Sequence, residues 1–185
     1  MNSKAQVLLL PVNSAGILLD PVLTRCKTLY PDNYHRYHRA CRDGSLSVGS
    51  CLLHKREHER AGLSANSNNN QPIYIANLVI SDHPYHPTRK RWLVAALNDL
   101  GQQLMPLIRY KGIRKMSVLT RPLISSNQTV SNSSNSAISD TDLSITNTVP
   151  LEWQSITLPL LIEHLQDLPK LRIELHLPKS IDIPS

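Results

Sequence analysis

Phenylalanine is absent from the chain's 185 residues and only 4% of them are aromatic, so a row of stacking rings for single-stranded nucleic acid has almost nothing to be built from. Cysteine is scarce as well. Cys26, Cys41 and Cys51 are odd in number and far apart, which argues against a disulfide framework and suits a reducing compartment; the expected location is the cytoplasm. Long apolar runs are missing: Val7 to Leu10 and Leu158 to Ile162 fall far short of the roughly 20 residues needed to cross a bilayer, so no membrane partner is expected. Met1 to Gln6 carry one lysine and lead into an apolar run that ends at Pro11 with no small-residue cleavage pattern, so that run reads as a buried strand.

What is present is enough to build a core. Hydrophobic residues make up 41% of the chain, which suits one domain over residues 1–185. Val7–Leu10, Ile73–Leu78 and Met116–Leu119 are short aliphatic runs bounded by polar or proline-containing segments, and they read as buried strands. Helix-period stretches lie between them, at Val22–Leu29, Tyr34–Arg42 and Trp92–Ile108. Ile156–Leu165 reads as a last helix, and Leu171, Ile173, Leu175 and Leu177 alternate with polar residues as a last strand. This alternation predicts a three-layer α/β/α fold around a mixed, mostly parallel sheet. Asn66–Gln71 is a polar loop, and the Ser/Asn/Thr-rich insert at about 125–148 has too few apolar residues to order itself.

The stretch from Val12 to Ser50 carries a more specific pattern. Val12, Asn13 and Gly16 open it, Pro31-Asp32-Asn33-Tyr34 form a turn, and Gly44, Leu46 and Gly49 close it. Tyr74-Ile75-Ala76-Asn77, Pro87-Thr88 with Trp92-Leu93, and Leu151-Glu152-Trp153 followed by Asp167-Leu168-Pro169 continue it downstream. Together these resemble the macro domain family, in particular the branch of DNA ADP-ribosyl glycohydrolase antitoxins, over roughly Val7 to Pro178. The family's usual first strand has no counterpart, so an edge-trimmed domain is expected.

The resemblance implies an ADP-ribose site, with Asn13, Gly16, Asp20, Asn77 and Leu123 at ligand-binding positions. It also implies two glycine loops that wrap the diphosphate with bare backbone N–H groups. The first loop, Gly-Lys-Gly in the family, is Leu19-Asp20-Pro21 here. Asp20 before Pro21 is a helix-start signal, an N-cap carboxylate followed by proline at the first helical position. A carboxylate there competes with phosphate for the same donors, and proline removes one of them. In the second loop Pro122-Leu123 survive, but residues 125–148 contain no glycine. The catalytic lysine of the branch falls on Ser81, which supplies no cation, and its two asparagine positions fall on Leu10 and Asn13.

These departures point to a degenerate macro domain that no longer hydrolyses ADP-ribose and serves as a binding or interaction module. It would bind ADP-ribose or a related nucleotide weakly, take a protein partner such as a toxin, and require no cofactor. One alternative is an active ADP-ribosyl glycohydrolase with a rearranged pocket around Asn13, Gly16 and Asn77. Another is a nucleic-acid or protein adaptor, since the net charge is +6 and basic residues gather at Lys55-Arg56 with Arg60, at Arg89-Lys90-Arg91 and from Arg109 to Lys115. Histidine pairs at 35/38, 54/58 and 83/86 lack a metal-protease pattern or accompanying cysteines, so no metal is expected.

Overall fold

A computed structural model describes residues 5–56, 71–121, 123 and 152–177. The insert at 125–148, Arg60 and His58 lie outside the described residues.

Five strands form one sheet in the order β2-β3-β1-β4-β5. They are β1 (Val7–Asn13), β2 (Cys51–Lys55), β3 (Tyr74–Ser81), β4 (Lys115–Leu119) and β5 (Arg172–His176). All pairings are parallel except β2 with β3, which is antiparallel. The helices are α1 (Pro21–Leu29), α2 (Pro31–Arg42), α3 (Lys90–Tyr110) and α4 (Leu158–Gln166). The central strand β1 reads VLLLPVN because helices cover both of its faces, which leaves no position for a regular polar alternation.

Side-chain alternation along the strands separates two cores. Val7, Leu9, Ala76, Leu78, Met116 and Val118 face α3 and α4, where they meet Leu93, Leu97, Leu100, Leu104 and Leu161. Leu10, Val12, Ile75 and Val79 face the other way and pack with Leu23 and Cys26 of α1 and Tyr37 of α2. The three-layer α/β/α expectation is met.

Two elements differ from the sequence reading. Strand β2 was not expected; its CLLHK run is too short and too mixed to stand out, and it is held by tertiary contacts. As the edge strand it would leave backbone groups open, but Asp99 Oδ2 accepts from the Cys51 amide at 2.7 Å, and Gln103 Nε2 donates to the Cys51 carbonyl at 2.7 Å. The last helix begins with a π-helical turn, Trp153–Thr157, whose burial of Trp153 and Thr157 no helical period announces. Pro106 sits within α3 without ending it.

All three thiols are reduced. Burial pushes Cys26 up to about 11, with Asp20 adding to the rise against Arg25, and burial together with Asp99 pushes Cys51 up to about 12. Roughly one Cys26 thiol in a thousand is then ionised at pH 8, so native protein should react slowly with a thiol-specific disulfide reagent. Unfolding in guanidinium should release three fast thiols; rapid labelling of Cys26 or Cys51 in native protein would contradict the packing.

Candidate functional site

In open α/β sheets a ligand crevice forms where neighbouring strands send their following chains to opposite faces. Strand β1 meets that condition against both of its neighbours, β3 and β4, and Asp20 and Arg121 draw attention to the side of β4. The chain leaves β1 toward α1 on one face, whereas the segment after β4 leads on to α4 on the other. The β1–β4 pairing ends at Leu9 with Val118, and β1 runs on to Asn13, past the end of β4 at Leu119. Pro11 lies beyond the last β1–β4 pair, where its missing N–H leaves no gap in that ladder.

The loop after β1 is closed on itself. The Asn13 side-chain amide donates to the Ile17 carbonyl at 2.6 Å and its oxygen accepts from the Ile17 amide at 3.3 Å. The Asn13 carbonyl accepts from the Tyr37 hydroxyl at 2.5 Å, which anchors the strand end to α2. Gly16 adopts a φ of 75°, and a Cβ there would lie 3.3 Å from both the Cys41 Cβ and the His38 ring. Only glycine suits both the angle and the close approach. Ile17 and Leu19 stand exposed on the same loop.

Asp20 caps α1 as its sequence implies: one carboxylate oxygen accepts from the Val22 amide at 2.8 Å. Its other oxygen meets Arg121 Nε at 3.2 Å. Arg121 belongs to the segment after β4, so the pair ties that segment to the start of α1. The Asp20 side chain is 15% exposed and that of Arg121 is 47% exposed, so the pair is partly screened. Arg121 was not singled out from sequence, where it stands only as the residue before Pro122.

The expected site residues do not all converge. A register shift at the end of β1 pairs Asn13 with Ser81, and the Ser14 amide donates to the Ser81 carbonyl at 3.0 Å. Asn13, Gly16, Asp20 and Ser81 therefore gather at the carboxyl edge. Asn77 lies four residues back along β3, about 13 Å by strand rise. Its amide is committed there: Asn77 Nδ2 donates to Asn33 Oδ1 at 2.8 Å and to the Leu52 carbonyl at 3.2 Å, while Asn33 Nδ2 donates back at 3.1 Å. Leu10, opposite Asn77, and Leu123 are each 2% exposed and lie in the two cores. Leu123 packs in the core shared with α3 and α4.

Beyond Ser81, Asp82 and His86 form a surface pair, with 3.0 Å between Asp82 Oδ1 and His86 Nδ1. Slight burial works to raise the Asp82 carboxyl, but the His86 hydrogen bond and charge and nearby backbone bonds bring it below the ordinary value. The His83 ring packs on both Tyr85 and His86. Among the described residues no cluster of three or more His, Cys, Asp or Glu could hold a metal ion.

The basic groups named from sequence are partly committed to structure. Arg114 Nη1 donates to the Ile108 and Ile113 carbonyls, and Lys115 pairs with Glu174 at 2.9 Å. Arg56 donates to the Pro72 carbonyl and covers the Tyr30 ring, whereas Arg89 and Lys90 are exposed. No described helix is long and apolar enough to cross a membrane.

No family model matches the chain. A curated relative, the DNA ADP-ribosyl glycohydrolase of Thermus aquaticus, is 28% identical over 123 residues. That match takes in 66% of this chain and 30% of the relative, so the chain spans less than a third of the relative's length. The macrodomain of Mycobacterium tuberculosis DarG superposes with a TM-score of 0.65 at 19% identity, covering 96% of this chain and 91% of that one. The macrodomain of Thermus aquaticus DarG gives 0.62 at 21% identity, covering 95% and 91%. Thermosipho africanus DarTG in complex with ADP-ribose gives 0.65 at 20% identity, covering 98% of this chain and 40% of that one. The sheet order, the paired helical layers and these superpositions agree with the motifs from Val12 to Ser50: this chain has the macro-domain fold.

Proposed function

We propose that this chain is a macro-domain module whose ADP-ribose diphosphate position is taken by its own Asp20–Arg121 pair, and that it acts as a binding or interaction module instead of a glycohydrolase. The observation that carries this reading is the double engagement of Asp20. One oxygen satisfies the Val22 amide and the other meets Arg121, so the backbone donor and the cation that a diphosphate would use already have an anion. Pro21 offers no donor. Ser81 stands at the family's lysine position and brings no positive charge to a departing oxygen. A protein partner, such as the toxin implied by the likeness to DarTG, is the expected class of ligand.

Calorimetric titration with millimolar ADP-ribose tests the proposal. No heat and no shift in melting temperature are expected, and micromolar binding would overturn it. The second reading, an active glycohydrolase with a rearranged pocket, draws on Asp82–His86, an acid–base pair adjoining Ser81 and linked through the Asp82 carbonyl to Ser14 at 3.4 Å. It requires release of ADP-ribose from modified DNA or protein, and loss of that release in both Asn13→Ala and His86→Ala.

A further inference from the structure

We propose that the outer edge of β5 is an interface for a second copy of this chain: two such edges pair antiparallel about a two-fold axis at Ile173 and join the two sheets into one. This goes beyond the reading above, because β5 lies at the margin of the sheet, beyond β4, and supplies none of the residues placed at the crevice.

The sheet closes one of its edges and leaves the other bare. At β2 the side chains of Asp99 and Gln103 take up the outward main-chain groups of Cys51. At β5 nothing among the described residues does the same. The Arg172 amide donates to the Arg114 carbonyl at 2.8 Å, and the His176 carbonyl accepts from the Thr120 hydroxyl at 2.7 Å. Alternation therefore turns the main-chain groups of Arg172, Glu174 and His176 toward β4. Those of Ile173 and Leu175 face outward, as does the Leu171 carbonyl, which points opposite to the Arg172 amide of the same peptide plane. A bare edge of this kind is a template for another strand.

The residues of this edge complement their own two-fold image. A symmetric antiparallel pair must centre on a residue whose main chain faces the seam, hence on Ile173 or Leu175 and never on Glu174. Centred on Ile173, the two Ile173 residues exchange both bonds, and each Leu175 amide donates to the Leu171 carbonyl of the second copy. Arg172 then lies directly opposite Glu174 of the second copy, and the match occurs twice by symmetry. The Arg172 side chain is 76% exposed and only 3.7 Å contact with its own Glu174 holds it, so it can reach across. Opposite charges facing one another across strands stabilise the pairing. Centred on Leu175, Arg172 would face position 178, a proline, and this charge match would be lost. On the other face Leu171, Ile173 and Leu175 pack against the core of α3 and α4 but stay only partly buried. In the pair they adjoin Leu175, Ile173 and Leu171 of the second copy, so the apolar strip continues across the seam.

Sedimentation equilibrium of the full chain over rising micromolar concentrations tests the proposal: the mass should climb from 20.8 kDa toward twice that value. R172E sets a carboxylate against Glu174 across the seam and should weaken self-association about tenfold, whereas R172K should associate like the parent. Introduced cysteines read the register. Under mild oxidation I173C should give a disulfide-linked dimer beyond any seen in the parent, because a hydrogen-bonded antiparallel pair sets its Cα atoms about 5.5 Å apart, within reach of a disulfide. L175C should not, because its two copies lie four residues apart along the strands, about 13 Å. Circular dichroism should show native folds for R172E and R172K, whose changes lie on the surface, so they keep the test valid if I173C loosens the core. The proposal is overturned if the chain stays monomeric at every concentration, if R172E associates like the parent, or if L175C cross-links as readily as I173C. None of these readouts involves ADP-ribose, so this proposal and the reading of the crevice fail separately.

Discussion

Asn77→Ala is expected to cost about 3 kcal/mol of unfolding free energy, measured by urea denaturation, because it strands a buried amide. Asn77 is 1% exposed and Asn33 4%, and the two side chains exchange hydrogen bonds in both directions between β3 and α2. Removing one leaves both polar atoms of Asn33, and the Asn77 bond to the Leu52 carbonyl, without the partner they had. Water has little access to replace it. The double variant Asn33→Leu/Asn77→Leu should recover part of the loss, since removing both polar partners avoids an orphan. A loss below about 1 kcal/mol for Asn77→Ala would show that the pair holds little of the structure. If Asn77→Ala kept full stability yet abolished a measured ligand affinity, Asn77 would be a binding residue after all.

Asp20→Ala carries the second large effect, in two opposed directions. Loss of the N-cap should lower stability by about 1 kcal/mol, because the Val22 amide no longer has its side-chain acceptor. The same change frees Arg121 and removes the carboxylate that the proposed reading sets against a diphosphate. Affinity for ADP-ribose should therefore rise at least tenfold over the parent, corresponding to about 1.4 kcal/mol. Calorimetry on Asp20→Ala beside Asp20→Asn separates the two contributions. Asparagine keeps a capping oxygen while dropping the charge, so it should retain most of the stability and still gain affinity. If neither variant binds ADP-ribose better than the parent, the ion pair is not what closes the crevice.

Much of the local architecture is legible in residue order. Asp20-Pro21 announces the start of α1, and its capping bond forms as that pair implies. The aliphatic runs of β1, β3 and β4 stand out because parallel strands buried on both faces select continuous apolar residues. Leu93, Ala96, Leu97, Leu100 and Leu104 mark the buried face of α3 by their spacing. Motif likeness carried the fold class further than periodicity could, since the same strand and helix pattern suits several α/β architectures.

Other features have no local signal. Strand β2 depends on Asp99 and Gln103, about fifty residues away, to complete its outer edge. The commitment of Asn77 to Asn33 follows from the packing of α2 on β3, and nothing in either segment distinguishes a structural amide from a ligand-binding one. Arg121 gains its role only because the pairing of β1 with β4 sets the segment after β4 beside the start of α1, where it meets Asp20.

By itself the sequence determined the capped helix, the buried strands, the apolar face of α3 and the absence of glycine at the two loop positions, because backbone preference and side-chain alternation are properties of neighbours along the chain. Only the tertiary structure decided which polar groups spend their hydrogen bonds on one another. That choice depends on burial and on distances between segments far apart in the chain, and it turned Asp20 into half of a bridge and Asn77 into half of a lock.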